Sequence, residues 1–297
     1  MATLRQQIKE KIESNRPKLS PNSLKTYVSI LFNLHKKHDT KDDEGIEWFN
    51  KNDKTIIESL NDKPSQTRKS VLSALFILTE NEEYKKLMLE DCKVTNDNYK
   101  SQKMNEKEKD NWIDIEHIKV LYDELLAKAK EMFNSKSVVD YPTIMEFFLI
   151  AFLGGVSGLP PRRSLDYALM KIRNFDTKID NYYKSGKFYF NQYKTKDKYG
   201  LQVLDVPKEL NTLIKKWIKL NKNDYLLFSS NKNHLSSSQI TRILNKAFDG
   251  KHVSTDMLRH IFLTNQYKDI PKLNDMEALA TNMGHSLNTA LQYIKRD

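Results

Sequence analysis

The sequence predicts a mainly α protein with one small β-sheet, divided into two domains. Three observations predict it. Apolar residues recur at helical spacing through most of the chain. The stretch 93–111, KVTNDNYKSQKMNEKEKDN, holds almost nothing apolar and reads as a linker. Only Lys187–Asn191 and Leu201–Val206 have the aromatic and β-branched character of strands. The expected division is a helical domain over 1–95, a linker over 96–112 and an α+β domain over 113–297.

The first helix with a clear start has Ser20 as its N-cap and Pro21 at its first position, followed by Leu24, Tyr27, Val28, Leu31 and Leu34 on one face. The acidic run from Lys41 to Gly45 reads as a loop. Helices follow over 54–60, 65–78 and 82–93, and the third of these four carries Arg68 and Lys69 outward near its start. Beyond the linker, Ile115–Phe133 is amphipathic and Tyr141–Leu153 is apolar enough to be central to a core. The longest apolar run, Ile144–Val156, is interrupted by Glu146 and is too short to span a bilayer. A helix is expected over Arg163–Ile172. The two strand-like runs flank the basic segment 194–200 and predict a β-hairpin with a basic tip. Helices are expected again over 209–220, 237–248, 255–267, 275–283 and 287–295.

Charged residues make up 30% and hydrophobic residues 39% of the 297, which excludes a disordered or fibrous chain. The 49 Lys+Arg against 39 Asp+Glu give a net charge of +10. Only nine of the cations are arginines, so lysine is the default and each arginine draws attention. Residues 1–100 carry a net +2 and residues 101–297 a net +8, so most of the positive field belongs to the second part. A basic excess suits a polyanionic partner, although a solvated lysine face gives the same count. The single cysteine, Cys92, permits no internal disulfide and no multi-cysteine metal site, and no HxxxH pair or carboxylate cluster stands in for one. The N-terminus lacks the apolar core of a signal peptide, so an intracellular, non-secreted protein is expected. Trp48, Trp112 and Trp217 read as packing residues, and His35, His38 and His117 have no ligand-like company.

The chemically informative segment is the last 44 residues, STDMLRHIFLTNQYKDIPKLNDMEALATNMGHSLNTALQYIKRD. It presents Arg259-His260 early on a helix, Gly284-His285 at the end of the next, and Tyr293 eight residues later. Upstream, Ser157-Gly158-Leu159-Pro160-Pro161-Arg162-Arg163 leads into a helix with Asp166, and the hairpin carries Lys194 and Lys196. Arg box, hairpin lysine, Arg-His, Gly-His and Tyr, in that order, resemble the tyrosine recombinase (phage-type integrase) family. The form LRHxFLTNxY followed by MGHSxxTAxxY resembles the branch found in large DNA viruses, their virophages and related mobile elements. The resemblance rests on motifs over about 113–297 and on architecture alone before that.

That resemblance implies an N-terminal SAM-like core-binding bundle and a C-terminal catalytic domain that together clamp double-stranded DNA. It implies catalysis by Arg163, Lys194, Arg259, His285 and Tyr293, with no cofactor and no metal. Counting back from Asp176 selects Arg163 as the first arginine with Asp166 as its companion at i+3; Arg162 is the alternative. Lys194 fits the hairpin lysine best, with Lys196 close behind. Asp256 stands where many members carry a histidine, and it is able to orient Arg259 or His260 but not to supply a cationic hydrogen bond. Arg162, Lys196, His260, Arg68 and Lys69 are the further candidates for contacts to DNA. The family's chemistry is attack of a tyrosine hydroxyl on a phosphodiester, with two guanidinium forks on the non-bridging oxygens and a lysine protonating the leaving 5′-oxygen. Strand exchange between two sites implies a homotetramer on DNA and a monomer or weak oligomer otherwise. Only four residues follow Tyr293, so either its own helix is exchanged between subunits or assembly uses another surface. Competing readings are a type IB topoisomerase-like nicking-closing enzyme, a catalytically silent DNA-binding protein, and a helical nucleic-acid binder with accidental motifs.

Overall fold

The computed structural model describes residues 3–38, 42–134, 140–283, 286–288 and 291. Among the described residues the protein is mainly helical with one four-stranded sheet. Its contacts divide it into two compact units, 1–103 together with 271–297, and 104–270. No helix among the described residues is long and apolar enough to cross a membrane.

The first unit contains α1 (Leu4–Asn15), α2 (Pro21–Lys37), a 3₁₀ segment (Asp42–Glu47), α3 (Trp48–Lys51), α4 (Asp53–Glu58), α5 (Ser65–Thr79) and α6 (Glu82–Lys100). Side-chain caps start the long ones: Thr3 accepts from the Gln6 N–H, Ser20 from Ser23 and Asn81 from Glu83. The apolar stripes meet in one core around Ile8, Ile12, Leu31, Phe49, Leu75 and Tyr84. Tyr84 buries its ring there and donates its hydroxyl to the Phe49 carbonyl at 2.8 Å.

Two expectations change here. The run read as linker is largely helical, because α6 continues to Lys100 and α7 (Glu106–Asn111) follows. Asp91 and Thr95, one turn apart on α6, are both buried, so a polar face does the packing that apolar residues usually do. Arg68 does not stand outward. Its Nε and Nη2 grip Asp91 at 2.7 and 2.5 Å, a bidentate pair whose carboxylate is wholly buried. Lys69, beside it, is half-buried. α15 (Leu273–Asn282) also belongs to this unit: the Leu273 N–H donates to Gln102, and Lys100 pairs with Glu277 at 3.2 Å.

The second unit opens with α7 and contains α8 (Ile115–Asn134), α9 (Tyr141–Leu153), α10 (Ser164–Ala168), α11 (Lys196–Tyr199), α12 (Lys208–Leu220), α13 (Ser237–Ala247) and α14 (Thr255–Gln266). The strands are β1 (Met170–Lys171), β2 (Asn181–Lys184), β3 (Lys187–Phe190) and β4 (Gln202–Asp205). They lie in the order β1-β2-β3-β4, with the first pair parallel and the others antiparallel. The expected helix over 163–172 is therefore only five residues long. It stops at Leu169 because Met170 and Lys171 pair with Asn181 and Tyr182. The hairpin is also larger than expected, since β2 joins β3 through Ser185-Gly186. Both residues have positive φ, the geometry of a tight two-residue turn.

α9 is the centre of the core, buried from Phe147 to Leu153. Phe152, Tyr167, Phe188 and Phe190 pack ring against ring between it and the sheet. Trp217 is fully buried and donates its Nε1–H to the Leu226 carbonyl at 2.9 Å. After α9 the chain turns at Gly155, whose φ is +74°. A Cβ there would come within 2.4 Å of the Phe262 ring on α14, so only glycine lets this turn meet α14.

The β1–β2 connection is closed by charge. Lys171 Nζ and the Asp176 N–H both donate to Asp180 Oδ2 at 2.8 Å. Burial is the largest influence on Asp180 and would raise its pKa, but the Lys171 and Asp176 bonds and the lysine's charge together hold it below the ordinary carboxylate value. A depressed carboxylate contributes stability above its unfolded pKa of about 3.9 and loses it as pH falls through the folded value. Asp180→Asn should therefore lower the thermal midpoint at neutral pH by the equivalent of about 1–3 kcal/mol. The gap to wild type should close as the pH is taken below 4. A gap that stays constant in melts from pH 7 to pH 2 excludes this ion pair as its source.

Candidate active site

The two prolines at 160–161 deliver the chain in extended form to α10. Arg163 is the N-cap of that helix, with φ −69° and ψ 151°, and Arg162 precedes it. The two arginines consequently part company. Arg162 turns inward. Its Nε donates to Asp166 Oδ2 at 2.9 Å and its Nη1 to Gln202 Oε1 at 2.6 Å. Its guanidinium also lies 4.1 Å from the Phe190 ring centre and 5.1 Å from that of Tyr193. Arg163 is half-buried; its carbonyl accepts from the Asp166 N–H at 3.0 Å, and its side chain forms no hydrogen bond or ion pair among the described residues.

Asp166 is thus the partner of Arg162 at i+4, not of Arg163 at i+3 as expected. The i+3 argument holds only for residues inside a helix, and Arg163 sits in extended backbone at its edge. The Asp166 side chain is 4% exposed. Burial pushes its carboxyl up, opposed by the charge and hydrogen bond of Arg162 and then by the charges of Arg163 and Arg259. The Asp166 carboxylate is thus bonded to Arg162 and lies within the field of Arg163 and Arg259, charges that come from two segments far apart in sequence. In a chain with nine arginines, this concentration is the electrostatic signature of the site.

α14 contributes Arg259 and His260. Its first turn is capped by Ser254, and Leu258 and Ile261 are buried in the core, which leaves Arg259 partly exposed at its flank. Asp256 Oδ1 meets Arg259 Nη1 at 2.9 Å. The acid is 63% exposed, so this pair orients the guanidinium and adds little stability. His260 lies 3.6 Å from Glu108 of α7 and 3.8 Å from Asp256. Asp256 therefore reaches both residues that it was expected to orient.

Lys194 is exposed in the β3–β4 connection, and Lys196, also exposed, begins the short α11 inside it. The basic tip is thus a loop with its own helical turn. Its base is closed by the Tyr193 hydroxyl, which donates to the Gly200 carbonyl at 2.6 Å. Asn181 anchors the near side. Fully buried on β2, it donates to the carbonyls of Asp166 and Gln192 and accepts from the N–H groups of Asn191 and Gln192. Asn191 in turn donates to the carbonyls of Thr177 and Asp180. The loop bearing Lys194 is tied in this way to the segment bearing the first arginines.

No family model matches the chain, and no curated protein matches it. Two solved structures align along 99% of it. The structure of XerA recombinase shares 14% identity over 94% of its own chain at a TM-score of 0.34. XerH site-specific recombinase, bound to difH substrate in a pre-cleavage complex, shares 18% over 93% of its chain at a TM-score of 0.38.

Of the residues expected from the sequence, Arg162 is bonded to Asp166, whose carboxyl also feels the charges of Arg163 and Arg259, and the Lys194–Lys196 loop is fastened through Arg162. His260 and Asp256 stand on the same helix as Arg259. His285 and Tyr293 lie outside the described residues. Arg68 is committed to Asp91 in the other unit. Sequence reading missed Asn181, Gln202 and Glu108. Each is polar with no motif around it, and a buried asparagine at the start of an aromatic strand leaves no hydropathy signal.

Proposed function

We propose that the protein is a site-specific DNA recombinase that cleaves and rejoins double-stranded DNA through a 3′-phosphotyrosyl intermediate. The observation that supports the reading is the buried Asp166 carboxylate bonded to Arg162, which ties the Lys194 loop to the segment of Arg163 and feels the charges of Arg163 and Arg259. A pair of guanidinium forks matches the non-bridging oxygens of a phosphodiester, a geometry that lysine does not provide.

In this reading the Tyr293 hydroxyl oxygen attacks phosphorus as its proton is lost. Arg163, Arg259 and His285 hold the non-bridging oxygens of the pentacoordinate transition state. Lys194 gives a proton to the departing 5′-oxygen, which leaves as a hydroxyl. Rejoining runs the same steps backward, with a 5′-hydroxyl as nucleophile and the tyrosine as leaving group. The helical N-terminal part and the catalytic part both contact the duplex, Lys69 and Lys196 contribute to the phosphate field, and a homotetramer exchanges strands between two sites. A source in the large-DNA-virus and virophage branch, with integration of a mobile genome as the outcome, accords with the LRHxFLTNxY and MGHSxxTAxxY motifs.

A duplex nicked just beyond the cleavage position tests this, because the short leaving strand diffuses away and traps the adduct. Wild type is expected to accumulate a covalent protein–DNA species and Tyr293→Phe none. An undiminished adduct in the phenylalanine variant removes Tyr293 as nucleophile. One observation favours a second reading, a DNA-binding protein without cleavage: Asp256 holds a carboxylate on the Arg259 guanidinium. That reading requires tight duplex binding with no adduct in wild type or in Asp256→His.

A further inference from the structure

Arg162 occupies a place that the proposed chemistry leaves unused. Its side chain is 15% exposed, too enclosed to serve as an open phosphate fork beside Arg163. What it touches is the root of the β3–β4 connection, from both sides. The Phe190 and Tyr193 rings under its guanidinium lie on the chain entering the loop, and Gln202, which accepts from Nη1, lies on the chain leaving it. Its third hold is the bond from Nε to Asp166, on the helix that Arg163 caps. One planar group thus spans the helix of the first arginine box, the entry of the loop and its exit. Between the two roots the loop is held by the Tyr193–Gly200 bond and by the single turn of α11. Lys194, one residue past Tyr193, takes its position from this fastening.

We propose that Arg162 is a positioning residue that fastens the β3–β4 loop to Asp166 and so sets Lys194 against the phosphate held by Arg163 and Arg259. The proposal rests on the reading of Lys194 as general acid. A small displacement of a proton donor is costly, since misplacement by about 1 Å lowers rates on the order of 100-fold. The upward push on the Asp166 carboxyl means that it protonates at a higher pH than an ordinary carboxylate, which would weaken the hold on Arg162 under mild acid.

Two measurements on the full chain test it, using Arg162→Gln, Arg162→Lys, Gln202→Met and Lys194→Ala. The Gln202 variant keeps the Arg162–Asp166 pair and so guards against misfolding of the arginine variants. The first measurement is hydrogen exchange at the Lys196, Tyr199 and Gly200 amides, whose acceptors all lie inside the loop. Exchange should rise about tenfold or more in Arg162→Gln and Gln202→Met and stay unchanged in Lys194→Ala. Unchanged exchange in both of the first two overturns the proposal. The second is cleavage of nicked duplexes whose leaving 5′ atom is oxygen or sulfur. A thiolate departs without a proton, so loss of the acid is masked with sulfur. Arg162→Gln should be slowed about 10- to 100-fold on the oxygen substrate and by less than about threefold on sulfur, with Lys194→Ala following the same pattern. Arg162→Lys should rescue little, because one ammonium does not reach three anchors. Equal slowing on both substrates overturns the proposal, because Arg162 then acts on the phosphate itself. If Lys194→Ala gains nothing from sulfur, the general-acid reading fails, and hydrogen exchange alone decides whether Arg162 fastens the loop.

Discussion

Arg259→Ala should lower the single-turnover rate of covalent adduct formation on a nicked duplex by about 10²–10³-fold, the usual cost of removing one fixed donor from a developing oxyanion. The expectation comes from where Arg259 stands. It leaves α14 beside two buried apolar neighbours, is turned by Asp256 and shares the field of Asp166 with Arg163. Arg259→Lys should recover only a small part of the rate, since a single ammonium replaces a planar fork. On the proposed reading duplex affinity should fall far less than the rate, because it would be spread over many backbone contacts and a net charge of +10. Asp256→Asn should cost much less than Arg259→Ala, since an exposed acid only orients its neighbour. An Arg259→Ala variant that cleaves at the wild-type rate takes this residue away from the phosphate.

Asn181→Ala should destabilise the protein by about 3–5 kcal/mol, the largest stability effect expected of a single polar substitution here. The side chain is wholly buried. It satisfies two carbonyls, of Asp166 and Gln192, and two N–H groups, of Asn191 and Gln192. Alanine fills too little space and leaves the Asp166 carbonyl and the Asn191 N–H without this partner where they are buried, and the two Gln192 groups without it at the margin. Asn181→Asp is no remedy, because its second oxygen faces two carbonyls. Urea unfolding reads the effect as a shift of midpoint at constant slope. A loss below about 1 kcal/mol would mean that water replaces the amide there.

The candidate site residues that stand in contiguous motifs were named from the sequence, with His285 and Tyr293 outside the described residues. Arg163 and Arg259 stand out in a lysine-rich chain, and the aromatic run at 187–190 with the Val-Leu run at 202–205 announces a sheet. What was hidden depends on partners far along the chain. Arg68 reads as an outward cation until Asp91, on the next helix, closes on it. Asp166 reads as the companion of Arg163 because helical spacing says so, whereas the helix begins one residue later than that argument needs. Strand β1 was read as helix because two residues carry no period of their own, and only pairing with β2 decides their state. α6 outran its apolar pattern because the buried face continues through Asp91 and Thr95.

The grouping of residues 271–297 with residues 1–103 has a consequence for synthesis. The first unit is discontinuous, and all of the second is inserted between its parts. A chain emerging from the ribosome releases α1 to α6 early, but α15 becomes available only after residues 104–270 have been made. The Gln102 side chain and Lys100 wait that long for Leu273 and Glu277. The unit made first is therefore completed last, and a chain stopped at Ile270 would hold a whole second unit beside an unfinished first one.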